Sequence, residues 1–268
     1  MTISPTAPAP GPAVVAGDPS RAARGAGRVL LLACVAQFML LVDDTIVNVA
    51  LPSVAADLGF GESSLTWVVN AYLLTFGGLL LIGGRLADRL GPRRMFTTSL
   101  AGFAVASALC GFAPSGGVLV GARALQGIAG ALLSPAALAI LLREFPEGPA
   151  RRRALSIWAG LMGLGAAFGL LVGGALVEVA DWRWIFFINL PIAGAALLFV
   201  PRVLPADRLD ATRPAPNVAG ATLATAALLT LVFIVVETHD QGWGSARTLG
   251  GFAVAALLAA AFAASERN

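Results

Sequence analysis

Long apolar runs separated by short polar segments organise this sequence. Eight of these runs are long enough to cross a hydrocarbon core of about 30 Å, which takes about 17–25 helical residues. Since backbone polar groups must be paired within the segment in lipid, each run predicts a transmembrane helix. The predicted spans are residues 29–51, 65–84, 95–113, 118–142, 154–177, 183–203, 217–236 and 248–264. The pattern therefore predicts an all-α integral membrane protein with about 8 spans.

The composition agrees with a membrane protein and argues against a soluble domain. Of the 268 residues, 57% are hydrophobic and 12% are charged, whereas roughly a quarter of the residues in soluble domains are charged. Cys34 and Cys110 lie inside apolar runs and are interpreted as small packing residues. The sequence contains no phosphate-binding loop, metal-ligand cluster or Ser/His/Asp set, so we expect no enzymatic activity, no metal and no cofactor.

The distribution of arginine predicts the orientation of the spans. All 18 basic residues are arginines, and 15 of them fall in the two termini and in alternate connecting segments. Because cytoplasmic segments are enriched in basic residues, both termini are predicted to face the cytoplasm from a cell (inner or plasma) membrane. The basic charge is thereby explained by topology, so the expected partner surface is the lipid bilayer and no nucleic-acid partner is expected.

Two polar segments divide the chain into parts. Residues 1–28 are rich in Pro, Ala and Gly and are predicted to form a disordered cytoplasmic tail. Prolines and arginines prevent residues 205–216 from continuing a helix, so this segment is predicted to be a cytoplasmic linker. The linker separates a six-helix bundle, residues 29–204, from two additional transmembrane helices and a short tail in residues 217–268.

Three charged residues lie deep within predicted spans, where a charge is costly and marks a functional site by default. Asp43 and Asp44 lie in the first span and Arg123 lies in the fourth. At 1.5 Å per residue, Asp43 and Arg123 lie about 13 Å and about 8 Å below the external ends of their spans. They could therefore pair, and burial of the aspartate could allow it to take up a proton. The alternatives are a permanent ion pair for the aspartate and a simple counter-ion role for Arg123.

A basic turn joins the second and third predicted spans. It reads Gly84-Arg85-Leu86-Ala87-Asp88-Arg89-Leu90-Gly91-Pro92-Arg93-Arg94. Its arginines would hold it in the cytoplasm, Asp88 can pair with a neighbouring guanidinium, and Gly84 would let a second helix approach closely. Gly91 and Pro92 are expected to end one helix and start the next. The alternative is a loop that only sets the topology.

Glycines recur in the fifth predicted span. Gly165, Gly169 and Gly173 repeat at four-residue spacing, and Gly174 follows them. Small residues at this spacing let transmembrane helices approach closely. A close helix contact is therefore predicted, and packing alone would explain the pattern.

Motifs in the first four spans resemble those of the major facilitator superfamily, and in particular its fourteen-helix drug:proton antiporters. Residues 43–52 are similar to the helix 1 motif D-x-T-I-V-N-V-A-L-P, and residues 84–94 to the loop motif G-x-L-A-D-R-x-G-x-R-R. In the fourth span, Arg123, Gln126 and Gly127 match the helix 4 motif R-x-x-Q-G.

The resemblance continues to about residue 200. Residues 169–174 are similar to the helix 5 motif G-P-x-x-G-G, except that Leu170 replaces the proline. Residues 181–191 look like the start of helix 6 in the same family. The missing proline puts a kink in the fifth helix in doubt and leaves the glycines in place.

The resemblance implies proton-coupled export of drugs or amphipathic small molecules by alternating access. It assigns proton coupling to Asp43 and Arg123. By contrast, Gln37, Asp44 and Asn48 share one helical face, which favours Asp44 as the interior residue, so the choice between the aspartates stays open. The implied conformational latch consists of Gly84, Asp88, Arg89, Gly91, Arg93 and Arg94.

A fourteen-helix relative would carry a second six-helix bundle after the eight spans predicted here. We therefore expect this chain to be the N-terminal portion of a major-facilitator-type transporter. Its expected partners are protons, a small amphipathic substrate and a missing C-terminal six-helix half. The alternative is a non-transporting helix-bundle membrane protein, an adaptor or inactive remnant that kept the transporter fold.

Overall fold

The computed structural model describes residues 19–207 and 218–265, and most of these residues are helical. Two helices are single turns, α2 (Glu62–Leu65) and α7 (Trp184–Phe187). The longer helices are α1 (Pro19–Leu58), α3 (Trp67–Leu90), α4 (Pro92–Gly111), α5 (Gly116–Glu144), α6 (Pro149–Val179), α8 (Asn189–Val203), α9 (Val218–Gln241) and α10 (Ala246–Ser265). They follow the order of the eight predicted spans, with α7 and α8 together forming the sixth.

Six helical segments among the described residues are long and apolar enough to cross a membrane. The two remaining long helices are α4 and α9. Helix α4 starts with Pro92, Arg93 and Arg94 and also contains serines and threonines, but 10 of its 20 residues are buried in the bundle. In helix α9, the apolar stretch within the residues whose side chains are described is Thr222–Val235. The all-α fold class is confirmed. Helix α4 is stabilised in the bundle by burial against its neighbouring helices.

Helix α1 begins earlier than the sequence predicted. It starts at Pro19, so residues 19–28, which were assigned to a disordered tail, are helical. Proline is well tolerated in the first turn of a helix, and the alanines and arginines that follow have high helix propensity. Helix α9 likewise extends to Gln241, five residues beyond the predicted span. The rest of the predicted tail, most of the linker and residues 266–268 lie outside the described residues.

Helix α5 lies at the centre of the bundle and contacts α1, α3 and α4. Helix α1 packs against α6 and α8 on its other side. Buried apolar side chains form two clusters along these helices. The first cluster, toward the end where α1 begins, includes Leu40 and Phe103, and the second includes Val42 and Phe186.

The final helix pair packs against α3. Helices α9 and α10 contact each other, and α9 contacts α3. The contact is close at Gly78, where a Cβ atom would overlap the side chain of Leu229. At the start of α3, the ring centroids of Trp67 and Phe233 lie 6.2 Å apart. The pair is therefore attached to one side of the six-helix bundle.

Candidate functional site

Asp43 from α1 and Arg123 from α5 form a salt bridge in the interior of the bundle. Nη1 of Arg123 donates a hydrogen bond to Oδ2 of Asp43 at 2.6 Å, and both side chains are 0% exposed. Burying two charges is costly unless the pair is close and neighbouring groups satisfy the remaining hydrogen-bonding capacity. The residues around the pair therefore determine how stable it is.

Three polar side chains complete the surroundings of Asp43. The amide nitrogens of Gln126 (Nε2) and Asn189 (Nδ2) each donate to Oδ1 of Asp43 at 2.7 Å. The same nitrogens donate to Oγ of Ser107, at 3.2 Å and 2.9 Å respectively. Ser107 in turn donates to the carbonyl oxygen of Phe186 at 2.9 Å. The carboxylate therefore connects α1 to α4, α5 and α8 through one hydrogen-bonded network.

The guanidinium of Arg123 is held on its other side by α3. Its Nε donates to the carbonyl oxygen of Val68 at 3.1 Å, and Nη1 also donates to Oε1 of Gln126 at 2.8 Å. The guanidinium carbon lies 4.2 Å from the centre of the Tyr72 ring, a favourable cation–π geometry. Within the described part of the chain, Nη2 has no hydrogen-bond partner, so the network keeps one unused donor group.

The network lies between the two apolar clusters. On α1, Asp43 follows directly after Val42 of the second cluster and lies three residues beyond Leu40 of the first. On α5, Arg123 and Gln126 lie between Ala122 of the second cluster and Ala129 of the first. Apolar side chains thus enclose the charged layer from both ends of the bundle, which keeps the effective dielectric around it low.

The structure buries Asp43 rather than Asp44. The Asp44 side chain is partly exposed, and within the described part of the chain its carboxylate has no hydrogen-bond or ion-pair partner. Along the shared face, Gln37 is buried and accepts a hydrogen bond from Ser134, whereas Asn48 is exposed. The helical face shared by Gln37, Asp44 and Asn48 is therefore buried at Gln37 and exposed at Asn48. The partner of Arg123 is Asp43.

Gly127, the third residue of the helix 4 motif, allows α3 to approach α5. A Cβ atom at Gly127 would overlap the side chain of Thr75 and the carbonyl group of Tyr72. Thr75 donates a hydrogen bond from Oγ1 to the carbonyl oxygen of Ala124 at 3.0 Å across the same contact. Two of the three motif residues thus belong to the polar network, and the third sets the helix spacing beside it.

The loop between α3 and α4 turns where the sequence predicted. Helix α3 ends at Leu90 and α4 starts at Pro92. Gly91 between them has a φ of +90°, a conformation that strongly favours glycine. Arg89 and Arg94 are exposed and Arg93 is partly exposed, so the loop presents its basic groups at the surface.

Two expectations about this loop need correction. Asp88 is exposed and forms no ion pair with a described residue, so the expected pairing with a neighbouring guanidinium is not observed. The close helix approach lies at Gly83 rather than Gly84. A Cβ atom at Gly83 would overlap the carbonyl oxygen of Ala131, whereas one at Gly84 would be 4.0 Å from Pro135. One residue shifts the direction of a helical side chain by about 100°, which explains the difference.

Asp207, which the sequence analysis did not single out, holds the start of α4. Its carboxylate accepts backbone hydrogen bonds from Arg93 at 3.1 Å and Arg94 at 2.8 Å. The guanidinium of Arg143, at the end of α5, lies 3.9 Å away. A negative charge is favourable at a helix N-terminus because unpaired N–H groups and the helix dipole point toward it. Asp207 therefore joins the segment after α8 to α4 and α5.

Three of the four predicted glycines bring α6 against α1. A Cβ atom at Gly165, Gly169 or Gly173 would lie closer than 3.0 Å to an α1 side chain, for example 2.6 Å from Cβ of Leu41 at Gly165. Gly174 has no heavy atom within 4 Å of the same position. The glycine contact therefore consists of every fourth residue and does not include Gly174.

Asn189 and Ser107 were also missed by sequence reasoning. Both are uncharged polar residues inside predicted apolar spans. Asn189 lies in the motif of residues 181–191 but was assigned no role, and Ser107 belongs to none of the motifs. A polar side chain in a span finds a partner on a neighbouring helix, so Asn189 carried a usable signal. Serine is common in such helices, and nothing in the sequence distinguishes Ser107 from the other serines.

These observations define a class of protein: a polytopic membrane protein whose buried charge network connects several of its spans. The sequence matches the family described as Major Facilitator Superfamily over residues 33–266, and the chain belongs to this family. Membership confirms the resemblance proposed from the motifs and the expectation that the protein is not an enzyme.

The relatives of the chain include proteins named for antibiotic resistance or export. The puromycin resistance protein pur8 of Streptomyces alboniger is 44% identical over 242 residues, covering 90% of this chain and 47% of that protein. The cephamycin export protein CmcT of Amycolatopsis lactamdurans is 44% identical over 238 residues, covering 88% and 49%. The tetracenomycin C resistance and export protein of Streptomyces glaucescens is 38% identical over 256 residues, covering 95% and 47%. The chain thus spans about half the length of these relatives.

A solved structure also shares the fold. The crystal structure of the POT family transporter PepTSo superposes with a TM-score of 0.65 at 14% sequence identity, covering 89% of this chain and 52% of that one. At this level of identity the likeness concerns the fold alone. It agrees with the prediction of a major-facilitator-type six-helix bundle.

Proposed function

We propose that this chain forms the N-terminal half of an exporter that exchanges protons for drugs or other amphipathic small molecules across the cytoplasmic membrane. The names of the relatives, which refer to resistance and export, support the export part of the proposal. The proton part rests on one observation, the fully buried pair of Asp43 and Arg123 within a network of amide donors.

A proton on Asp43 would change the network in two ways. It would remove the negative charge that balances Arg123, and it would turn one carboxylate oxygen from an acceptor into a donor. The amide groups of Gln126 and Asn189 already donate toward Asp43, so a protonated carboxyl group would fit this arrangement poorly. Protonation therefore weakens the attraction that holds α1 to α5 and α8.

The same coupling operates in reverse. Movement of α1 relative to α5 would separate Asp43 from Arg123, and the free energy of holding a proton on the carboxylate would change with that distance. Because such coupling is reciprocal, a substrate that favours one helix arrangement also changes proton affinity. This is the property that an antiporter needs at a site shared between two alternating states.

The basic loop would act at the contact with a second half. Asp88 and Arg89 are exposed on the described surface, so they are accessible to a partner bundle. We propose that Gly84, Asp88, Arg89, Gly91, Arg93 and Arg94 form the latch of one conformational state in the complete transporter. Both termini are proposed to be cytoplasmic, as the arginine distribution favours.

Reconstitution of the transporter from two parts tests this function. The chain would be co-expressed with the C-terminal half of the puromycin resistance relative, and puromycin-dependent proton release would be measured in everted membrane vesicles that carry a pH gradient. We expect release with both halves together and none with either half alone. A non-transporting bundle would give no release in any combination, although both halves are present in the membrane.

A further inference from the structure

A groove runs between α1 and α8, on the outside of the six-helix bundle. Its cavity volume is about 670 Å³, within the range of sites that hold small ligands. Its walls are apolar and include Leu31 and Val35 from α1 and Ile192 and Phe199 from α8. The groove is separate from the polar network, because Asp43 lies eight residues further along α1 than Val35.

Two arginines lie at one end of this groove. Arg28 of α1 and Arg202 of α8 both line it, and they are its charged lining residues. Both are exposed, and neither forms an ion pair with another described residue. Nη1 of Arg202 donates to the carbonyl oxygen of Leu198 at 2.9 Å, which holds the guanidinium beside α8. The groove thus combines a cationic end with an apolar interior.

The length of the groove matches one leaflet of a membrane. Arg28 and Val35 are seven residues apart, which corresponds to about 10 Å along a helix, and Arg202 and Ile192 are ten residues apart, about 15 Å. Half of the hydrocarbon core is also about 15 Å. An occupant that fills the groove therefore reaches from the headgroup level to the middle of the bilayer.

We propose that this groove is a binding site for one anionic phospholipid of the membrane. The headgroup phosphate lies between Arg28 and Arg202, and an acyl chain lies along Leu31, Val35 and Phe199. Basic pockets between transmembrane helices select anionic headgroups in this way. The proposal requires that the chain spans a membrane, and it is independent of transport and of proton coupling.

Occupation of the groove would have a structural consequence. A lipid held by Arg28 and Arg202 connects the start of α1 to the end of α8. The segment that follows α8 leads directly to Asp207, which holds the start of α4. The lipid therefore stabilises the same end of the bundle that carries the basic loop, and lipids without a net negative charge cannot replace it.

Native mass spectrometry of the purified full chain tests the site. The protein would be titrated with phosphatidylglycerol or with phosphatidylcholine of identical acyl chains. We expect one phosphatidylglycerol to be retained per chain, with an apparent affinity about tenfold or more above that of phosphatidylcholine, because each basic residue adds to the attraction. The variant Arg28→Gln/Arg202→Gln is expected to lose this preference.

A matched control removes the same charge elsewhere. Arg152 and Arg153 are exposed at the start of α6 and do not line the groove, so Arg152→Gln/Arg153→Gln is expected to retain the wild-type preference. An equal loss in both double variants would overturn the proposal, since it would show that net charge alone attracts the lipid. Equal affinity of the wild type for the two lipids would overturn it as well.

A second variant tests the apolar part of the groove without changing its charge. Ala195 lines the groove and is exposed, so Ala195→Trp fills the cavity and leaves the buried core unchanged. We expect this variant to lose the retained phosphatidylglycerol while its helical circular dichroism stays at the wild-type level. Undiminished lipid retention by this variant, or a wild-type chain that retains no lipid, would contradict the proposed site.

Discussion

Nη1 of Arg123 lies 2.6 Å from Oδ2 of Asp43, although the two residues are 80 positions apart in the chain. Neither side chain has any exposed surface. The pair is stabilised by two amide donors on Asp43 and by a backbone carbonyl and an aromatic ring on Arg123. Removing one partner of such a buried pair strongly destabilises the protein. The contribution of each partner can therefore be measured by substitution.

Asn189→Leu is expected to lower the thermal stability of the chain. The substitution removes the hydrogen bonds to Asp43 and Ser107 and leaves a buried carboxylate with fewer donors, at a cost of about 1–2 kcal/mol. Asn48→Leu is the matched control, because Asn48 is exposed and bonds only to the backbone of Asp44. Thermal unfolding in detergent would measure both variants, and equal melting temperatures would contradict the role given to Asn189.

Gly169→Val and Gly174→Val are expected to behave differently although the two glycines share one helix. A side chain at Gly169 would overlap Thr45 of α1, whereas the position at Gly174 is open. Overpacking of a tight contact costs about 1–3 kcal/mol. We expect lower stability and a reduced amount of folded protein only for Gly169→Val, measured by fluorescence-detected size-exclusion chromatography. Similar profiles for both variants would show that the α1–α6 contact does not depend on the glycine spacing.

Much of this architecture could be predicted from the sequence. Apolar run length gave the spans in their correct order, and depth along the helices brought Asp43 and Arg123 to similar levels. Helical periodicity was less informative about which aspartate faces the interior, since it favoured Asp44 over Asp43. The contacts of the segment after α8 were not accessible either. Asp207 lies in a proline-rich segment, and only the folded chain brings it to the start of α4.

Asp207→Asn is expected to destabilise the chain more than Asp88→Asn. Asp207 accepts two backbone hydrogen bonds at the start of α4, and loss of its charge there costs about 0.3–1 kcal/mol. Asp88 is exposed and has no ion-pair partner among the described residues, so its replacement leaves stability unchanged. Thermal unfolding compares the two, and a larger loss for Asp88→Asn would contradict the assignment. In a complete transporter, Asp88→Asn is expected instead to slow transport at normal membrane levels.

The proposed orientation can be tested with single cysteines. Cys34 and Cys110 are buried, so they contribute little background to labelling with a membrane-impermeant maleimide. Ser115→Cys, before α5, is expected to react in intact cells, whereas Ser265→Cys, at the end of α10, should react only after permeabilisation. The reverse pattern would invert the topology and place the basic loop on the outside.

The central claim is that Asp43 carries the proton. Asp43→Asn keeps the size of the side chain and removes its charge, whereas Asp44→Asn makes the same change on a partly exposed neighbour outside the network. The decisive measurement is puromycin-dependent proton release in everted vesicles that contain the two-part transporter with either variant. The account predicts that Asp43→Asn abolishes proton release while puromycin still binds, and that Asp44→Asn retains most of it. Wild-type proton release by Asp43→Asn, at equal membrane levels, would contradict the account.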